Sequence, residues 1–142
     1  MIDVFLITSG DRNANQEKTI KSLGDIQHTV NHVEFTNDIN DHKKENDWFF
    51  ILYDNEVLSE ELSEALPIFF ANSDKKVLVC YQKIKNTFND ETKMYRVPRA
   101  FRKGIKLQED SLMPKNVELT RECHILNGGI EAFVYNQLQE TE

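Results

Sequence analysis

The run Trp48-Phe49-Phe50-Ile51-Leu52-Tyr53 carries no charge and stops abruptly at Asp54-Asn55-Glu56. Such a run reads as a strand buried on both faces, and so as part of the interior of a sheet. The acid-x-acid step at its end delivers two carboxylates to the rim of that sheet, where they can hold a divalent cation or orient a ligand. The same residues would also serve as a plain strand-to-helix turn, with both acids near a helix N-terminus.

The neighbouring segments alternate between strand and helix patterns. Residues 2–8 read as a buried first strand, and Thr8-Ser9-Gly10-Asp11-Arg12-Asn13 as a polar loop. Residues 15–23 fit a short helix stopped by Gly24, and residues 28–35 a second strand with Val33 and Phe35 on one face. Thr36 to Asp47 is strongly polar and reads as a loop. Ser59 caps a helix with Glu60 and Glu61 in its first turn, which Pro67 is expected to break or kink. Residues 76–83 and 93–97 read as further strands around a polar turn, and Arg121 to Leu126 as a last one ended by an Asn127-Gly128-Gly129 turn. Ile130, Phe133, Val134 and Leu138 have the spacing of a C-terminal amphipathic helix. This order predicts a single α/β domain over residues 1–142, with a mainly parallel central sheet of five or six strands flanked by helices. The first and third strands should lie near the middle, and the strand after Lys76 beside the acidic one.

Composition removes several function classes. The chain has 142 residues and a formal net charge of −7. That charge disfavours sequence-independent binding to nucleic acid, which depends on Lys and Arg at phosphates. No segment has the apolar length of a membrane span, and the opening Ile2-Asp3-Val4-Phe5 reads as a strand rather than a signal peptide, so the expected location is cytoplasmic. Cys80 and Cys123 lack any CxxC or zinc spacing, a disulfide is not expected in the cytosol, and the four histidines form no ligand pattern.

Three segments together resemble a known group. Val4-Phe5-Leu6-Ile7-Thr8-Ser9-Gly10-Asp11-Arg12 followed by Lys18-Thr19-Ile20-Lys21-Ser22-Leu23, then Trp48 to Glu56 followed by Leu58-Ser59-Glu60-Glu61-Leu62, then Tyr95-Arg96-Val97-Pro98-Arg99-Ala100-Phe101-Arg102-Lys103-Gly104, occur in the order seen in A-type glycosyltransferases of the inverting family that includes lipopolysaccharide-core sugar transferases. The resemblance implies a truncated, Rossmann-like version of that fold. It implies Asp54 and Glu56 as ligands of Mn²⁺ or Mg²⁺ beside a nucleotide diphosphate. It implies Thr8 and Asp11 facing the nucleoside, and Arg99 and Arg102 facing phosphate or acceptor. The chain departs from the family in having only Thr36 to Asp47 between its second strand and the acidic motif. It also offers no motif around Glu118, Glu122 or Glu131 that marks a catalytic base.

Two functional expectations follow. One is sugar transfer from a nucleotide sugar to an acceptor, with the metal offsetting charge on the leaving diphosphate. The other is a non-catalytic structural or accessory module that keeps the fold and works through protein partners in a larger assembly, a virion included.

Overall fold

A computed structural model describes residues 1–8, 16–88, 91–117 and 123–132. The described elements are β1 (Ile2–Ile7), α1 (Gln16–Lys21), β2 (His28–Val33), α2 (Asn37–Asp41), β3 (Trp48–Tyr53), β4 (Glu56–Leu58), α3 (Glu60–Asn72), β5 (Val79–Phe88), β6 (Glu91–Arg102) and β7 (Cys123–Ala132). The strands form one seven-stranded sheet in the order β2-β1-β3-β6-β5-β7-β4.

This architecture corrects the expected fold class. The sheet is mixed and half-barrel-like, not a mainly parallel layer flanked by helices. β1 pairs in parallel with β2 and β3, and β5 with β7, while β3–β6, β5–β6 and β4–β7 are antiparallel. The physical cause is the long β5–β6 hairpin, paired from Val79↔Phe101 out to Phe88↔Glu91. Its returning arm inserts beside β3, so the strand after Lys76 lies one place further from the acidic strand than its sequence position predicts. The turn expected over Lys85 to Glu91 is correspondingly shortened, because β5 continues to Phe88 and β6 begins at Glu91.

β1 and β3 are buried along nearly their whole length, which requires cover on both faces. One face packs Val4, Leu6, Trp48, Phe50 and Leu52 against Leu23 and Ile26 after α1 and against Leu62 and Leu66 of α3. The other packs Phe5, Ile7, Phe49, Ile51 and Phe101 under Ile39 of α2 and Leu107. The second cover is made by segments without strong periodicity. Asn40 holds them together: its side-chain amide donates to the Leu107 carbonyl (2.9 Å) and its oxygen accepts from the Leu107 N–H (2.8 Å). The polar Thr36–Asp47 stretch, expected to be a loop, is therefore a short helix and a lid over a core face.

Two more expectations are corrected locally. α3 continues through Pro67, because Leu62 and Leu66 before it are buried and Phe69 and Phe70 after it pack on Trp48. Packing on both sides outweighs the hydrogen bond that proline cannot make. Asn127-Gly128-Gly129 is not a terminating turn but lies within β7. There the pairing jumps from Tyr81↔Ile125 to Lys83↔Gly129, so β7 carries extra residues as a bulge. A Cβ on Gly129 would sit 2.9 Å from the Lys83 carbonyl oxygen, which explains the glycine. The expected C-terminal helix through Phe133, Val134 and Leu138 lies outside the described residues. Among the described residues no helix is long and apolar enough to cross a membrane.

Candidate functional site

The end of β3 is where the sequence placed its carboxylates, and its geometry follows from how short the pairing of β6 with β3 is. β6 pairs with β3 only from Trp48↔Arg102 to Phe50↔Ala100. Against β5, Cys80 faces Ala100 but Tyr81 faces Pro98, so Arg99 is the extra residue of a β-bulge. Pro98 has no N–H to give a ladder, and the bulge turns the arginine inward.

The backbone of β3 beyond Phe50 thus loses its neighbour on the β6 side. Arg99 and Glu56 take the neighbour's place. The Arg99 guanidinium donates to the Ile51 carbonyl (3.3 Å), and Glu56 Oε1 accepts from the Tyr53 N–H (2.8 Å). The two side chains meet as a two-pronged ion pair, Nη1–Oε1 at 2.6 Å and Nη2–Oε2 at 2.9 Å. Both are almost fully buried. The guanidinium also lies 5.1 Å from the Tyr53 ring centroid. Burial raises the Tyr53 hydroxyl pKa above its ordinary value, with Arg99 opposing that rise.

Asp54 is fully buried in the turn between β3 and β4. Its N–H donates to the Ile7 carbonyl (3.1 Å), and its carbonyl accepts from the Thr19 hydroxyl (3.3 Å). Ser22, just after α1, accepts from the Leu58 N–H (3.0 Å), so the α1 region clamps the whole β3–β4 turn. On the far side, Ser59 caps α3 by accepting from Leu62 N–H (3.1 Å), as its sequence context predicts, and the same oxygen accepts from Gly129 N–H (2.9 Å).

The other anticipated residues disperse. Thr8 continues β1: its N–H (2.8 Å) and hydroxyl (3.3 Å) both donate to the Val33 carbonyl. Asp11 lies outside the described residues. Arg102 sits at the opposite end of β3 from Glu56, its guanidinium 4.3 Å from the Trp48 ring centroid. It donates to the Val77 carbonyl (3.0 Å), the Asp74 carbonyl (3.0 Å) and the Ser73 hydroxyl (3.1 Å), holding the loop after α3. The structure therefore joins Arg99 to Glu56 and separates both from Arg102.

As arranged, this donor set does not fit a divalent ion. Both Glu56 oxygens already receive hydrogen bonds, and the nearest charge is a guanidinium, which repels a metal. Among the described residues no group of three or more His, Cys, Asp or Glu side chains is placed to hold a metal.

Sequence reasoning missed the partner of Glu56 and a buried carboxylate, Asp3. Asp3 Oδ2 accepts from the Glu45 (2.8 Å) and Asn46 (3.0 Å) N–H groups, and Oδ1 from the Asn46 side-chain amide (3.0 Å) and the Thr29 hydroxyl (3.2 Å). Its signal was visible as a lone acid inside the apolar run from Ile2 to Ile7, which needs donors to be buried at all. Lys44 was likewise missed. It is buried, donates to the Ile39 carbonyl, and lies near the Phe5 and Phe49 rings (5.6 and 5.1 Å to the centroids). Burial and then the charge of Lys106 hold its pKa below the usual lysine value.

No family model matches this sequence, and no curated protein matches it.

Proposed function

We propose that this protein is a non-catalytic structural or accessory module that works through protein contacts, and that its acid-x-acid motif serves the fold. The observation that carries this reading is the buried pairing of Glu56 with Arg99. A carboxylate poised for a metal keeps lone pairs open to a cleft. Here they are taken by a guanidinium and a backbone N–H, and the pair substitutes for a missing strand neighbour of β3. Asp54, the other intended ligand, is fully enclosed.

The competing reading is nucleotide-sugar transfer with Mn²⁺ or Mg²⁺ at Asp54 and Glu56. It requires the Arg99 pair to open. Calorimetric titration of UDP-sugars with Mn²⁺ into the intact protein separates the two. We expect no metal-dependent binding. Binding that appears with Mn²⁺ and disappears in Asp54→Ala would overturn the proposal.

A further inference from the structure

The sheet ends in β4 on one side and in β2 on the other, and only one of these edges is guarded. β4 is three residues long, and its Leu58 N–H is taken by the Ser22 hydroxyl (3.0 Å). β2 is six residues long and pairs with β1 without a bulge from Ile2↔His28 to Ile7↔Val33. A bare edge strand is a template for another strand, and folded proteins blunt it with lysine, proline, a bulge or a covering segment. β2 contains no Lys, Arg, Asp, Glu or Pro.

The ladder fixes which groups face outward. The Ile2 N–H donates to the Gln27 carbonyl (3.0 Å), and the Thr8 N–H to the Val33 carbonyl (2.8 Å). Alternate residues of a strand serve the same neighbour, so residues 27, 29, 31 and 33 serve β1. His28, Val30 and His32 turn their N–H and C=O groups away from it. Among the described residues nothing else takes these groups. His32 is exposed and His28 and Val30 are half-buried, so all three keep solvent access.

The outward set is symmetric about Val30. In an antiparallel pair, residues of this kind that lie opposite each other exchange both hydrogen bonds. A second β2 therefore satisfies the whole set in one register: Val30 opposite Val30, and His28 of each copy opposite His32 of the other. Each copy then donates three main-chain hydrogen bonds and accepts three. Carried past the strand ends, this register sets Glu34 opposite Ile26 and Asp25 opposite Phe35, so no like charges meet. Phe35, 66% exposed just beyond the strand, gains cover there. A chain of net charge −7 repels its own copies, and an uncharged edge is where two of them approach at least cost.

We propose that two copies of this chain pair through β2 in that register, forming one continuous sheet across a two-fold axis. The occupant is a second copy because the edge is self-complementary in its hydrogen bonds and uncharged on an otherwise acidic chain. Self-association goes beyond the contact-module reading and does not depend on the Arg99–Glu56 pair.

Sedimentation equilibrium of the intact protein, with amide hydrogen exchange at low and high protein concentration, tests the proposal. The expected result is a reversible dimer with a dissociation constant on the order of micromolar. The His28, Val30 and His32 amides should exchange slowly only where the dimer is populated, and those of Thr29, Asn31 and Val33 slowly throughout. His28→Glu/His32→Glu sets two carboxylate pairs across the axis and should weaken the dimer roughly tenfold. His28→Lys/His32→Lys should do the same with cations, and mixing the two variants should restore the dimer. Should a variant fail to fold, the exchange pattern of the wild type still decides. A protein that stays monomeric up to the millimolar range overturns the proposal, as does a dimer in which the three outward amides exchange as fast as in the monomer. Charge variants that dimerise as the wild type does, or that do not recover on mixing, overturn it too. The contact-module reading fails separately, on Mn²⁺-dependent nucleotide-sugar binding.

Discussion

Replacing Arg99 by methionine tests the role given to the buried pair. The variant leaves the Glu56 carboxylate, 3% exposed, with the Tyr53 N–H as its remaining described donor, and removes the donor to the Ile51 carbonyl. Removing one partner of a buried ion pair costs about 3 to 5 kcal/mol. Total stability for a domain is about 5 to 15 kcal/mol, so the loss is a large part of the whole. At this chain length it corresponds to a fall in melting temperature of roughly 6 to 20 °C. The double variant Arg99→Met/Glu56→Leu removes both charges and their desolvation cost, which an apolar pair often matches. It still leaves the Ile51 carbonyl and Tyr53 N–H without these partners, at about 1 to 3 kcal/mol each. The double should therefore be no less stable than the sum of the singles predicts, and more stable by roughly 2 kcal/mol. Urea unfolding followed by Trp48 emission measures this, with matching denaturant slopes as the check on a common denatured state. If Arg99→Met costs under about 1 kcal/mol, or the two single effects simply add, the pair is not a buried structural lock. Glu56 would then be open to a ligand.

Other outcomes follow from the same contacts. Gly129→Ala places a methyl 2.9 Å from the Lys83 carbonyl and should destabilise by about 1 to 3 kcal/mol in thermal or urea unfolding; an unchanged midpoint would mean that the β7 bulge relaxes freely. Pro67→Ala restores a donor inside α3 and should raise stability by about 1 to 3 kcal/mol, less any gain lost from a freer unfolded chain; a decrease would show that the ring itself packs productively. Lys44 has a folded pKa below its unfolded value of 10.5, so the penalty for holding its charge in the fold is fully present below the folded pKa and fades as pH rises through it towards 10.5. The stability of the wild type relative to Lys44→Met should accordingly rise from neutral pH to about 10.5 in paired melts; a fall over that range would contradict the sign.

What could be read from the sequence was local and strongly patterned. The uninterrupted apolar run gave β3 its extent, and Ser59 followed by Glu60 and Glu61 marked the start of α3, because capping and burial act within a few residues. The sheet order was not legible. Whether the arm from Glu91 returns outside or inside β5 depends on pairings such as Phe49↔Phe101, between residues about fifty positions apart. The Thr36–Asp47 lid was hidden for another reason. It covers a core face with Ile39 as its one apolar side chain, beside His42 and Lys44 on the Phe5 ring, and holds Leu107 through one amide, which leaves no periodicity to find. The partner of Glu56 was within reach. An arginine inside Val97-Pro98-Arg99-Ala100-Phe101, just after a proline that cannot extend a ladder, signals a bulge with an inward charge needing an acid.

An acid-x-acid step after a buried strand has two physical uses, and the strand alone does not choose between them. The choice is made by the neighbour. Where the adjacent strand runs alongside to the end, the backbone is satisfied and the carboxylates are left for a ligand. Here β6 pairs with β3 only from Ala100 to Arg102, leaving an acceptor at Ile51 and a donor at Tyr53 without a strand neighbour on that side. Something must satisfy them, and Arg99 with Glu56 supplies one donor and one acceptor in the right places. The chemistry that looked available in the sequence is consumed by this geometry.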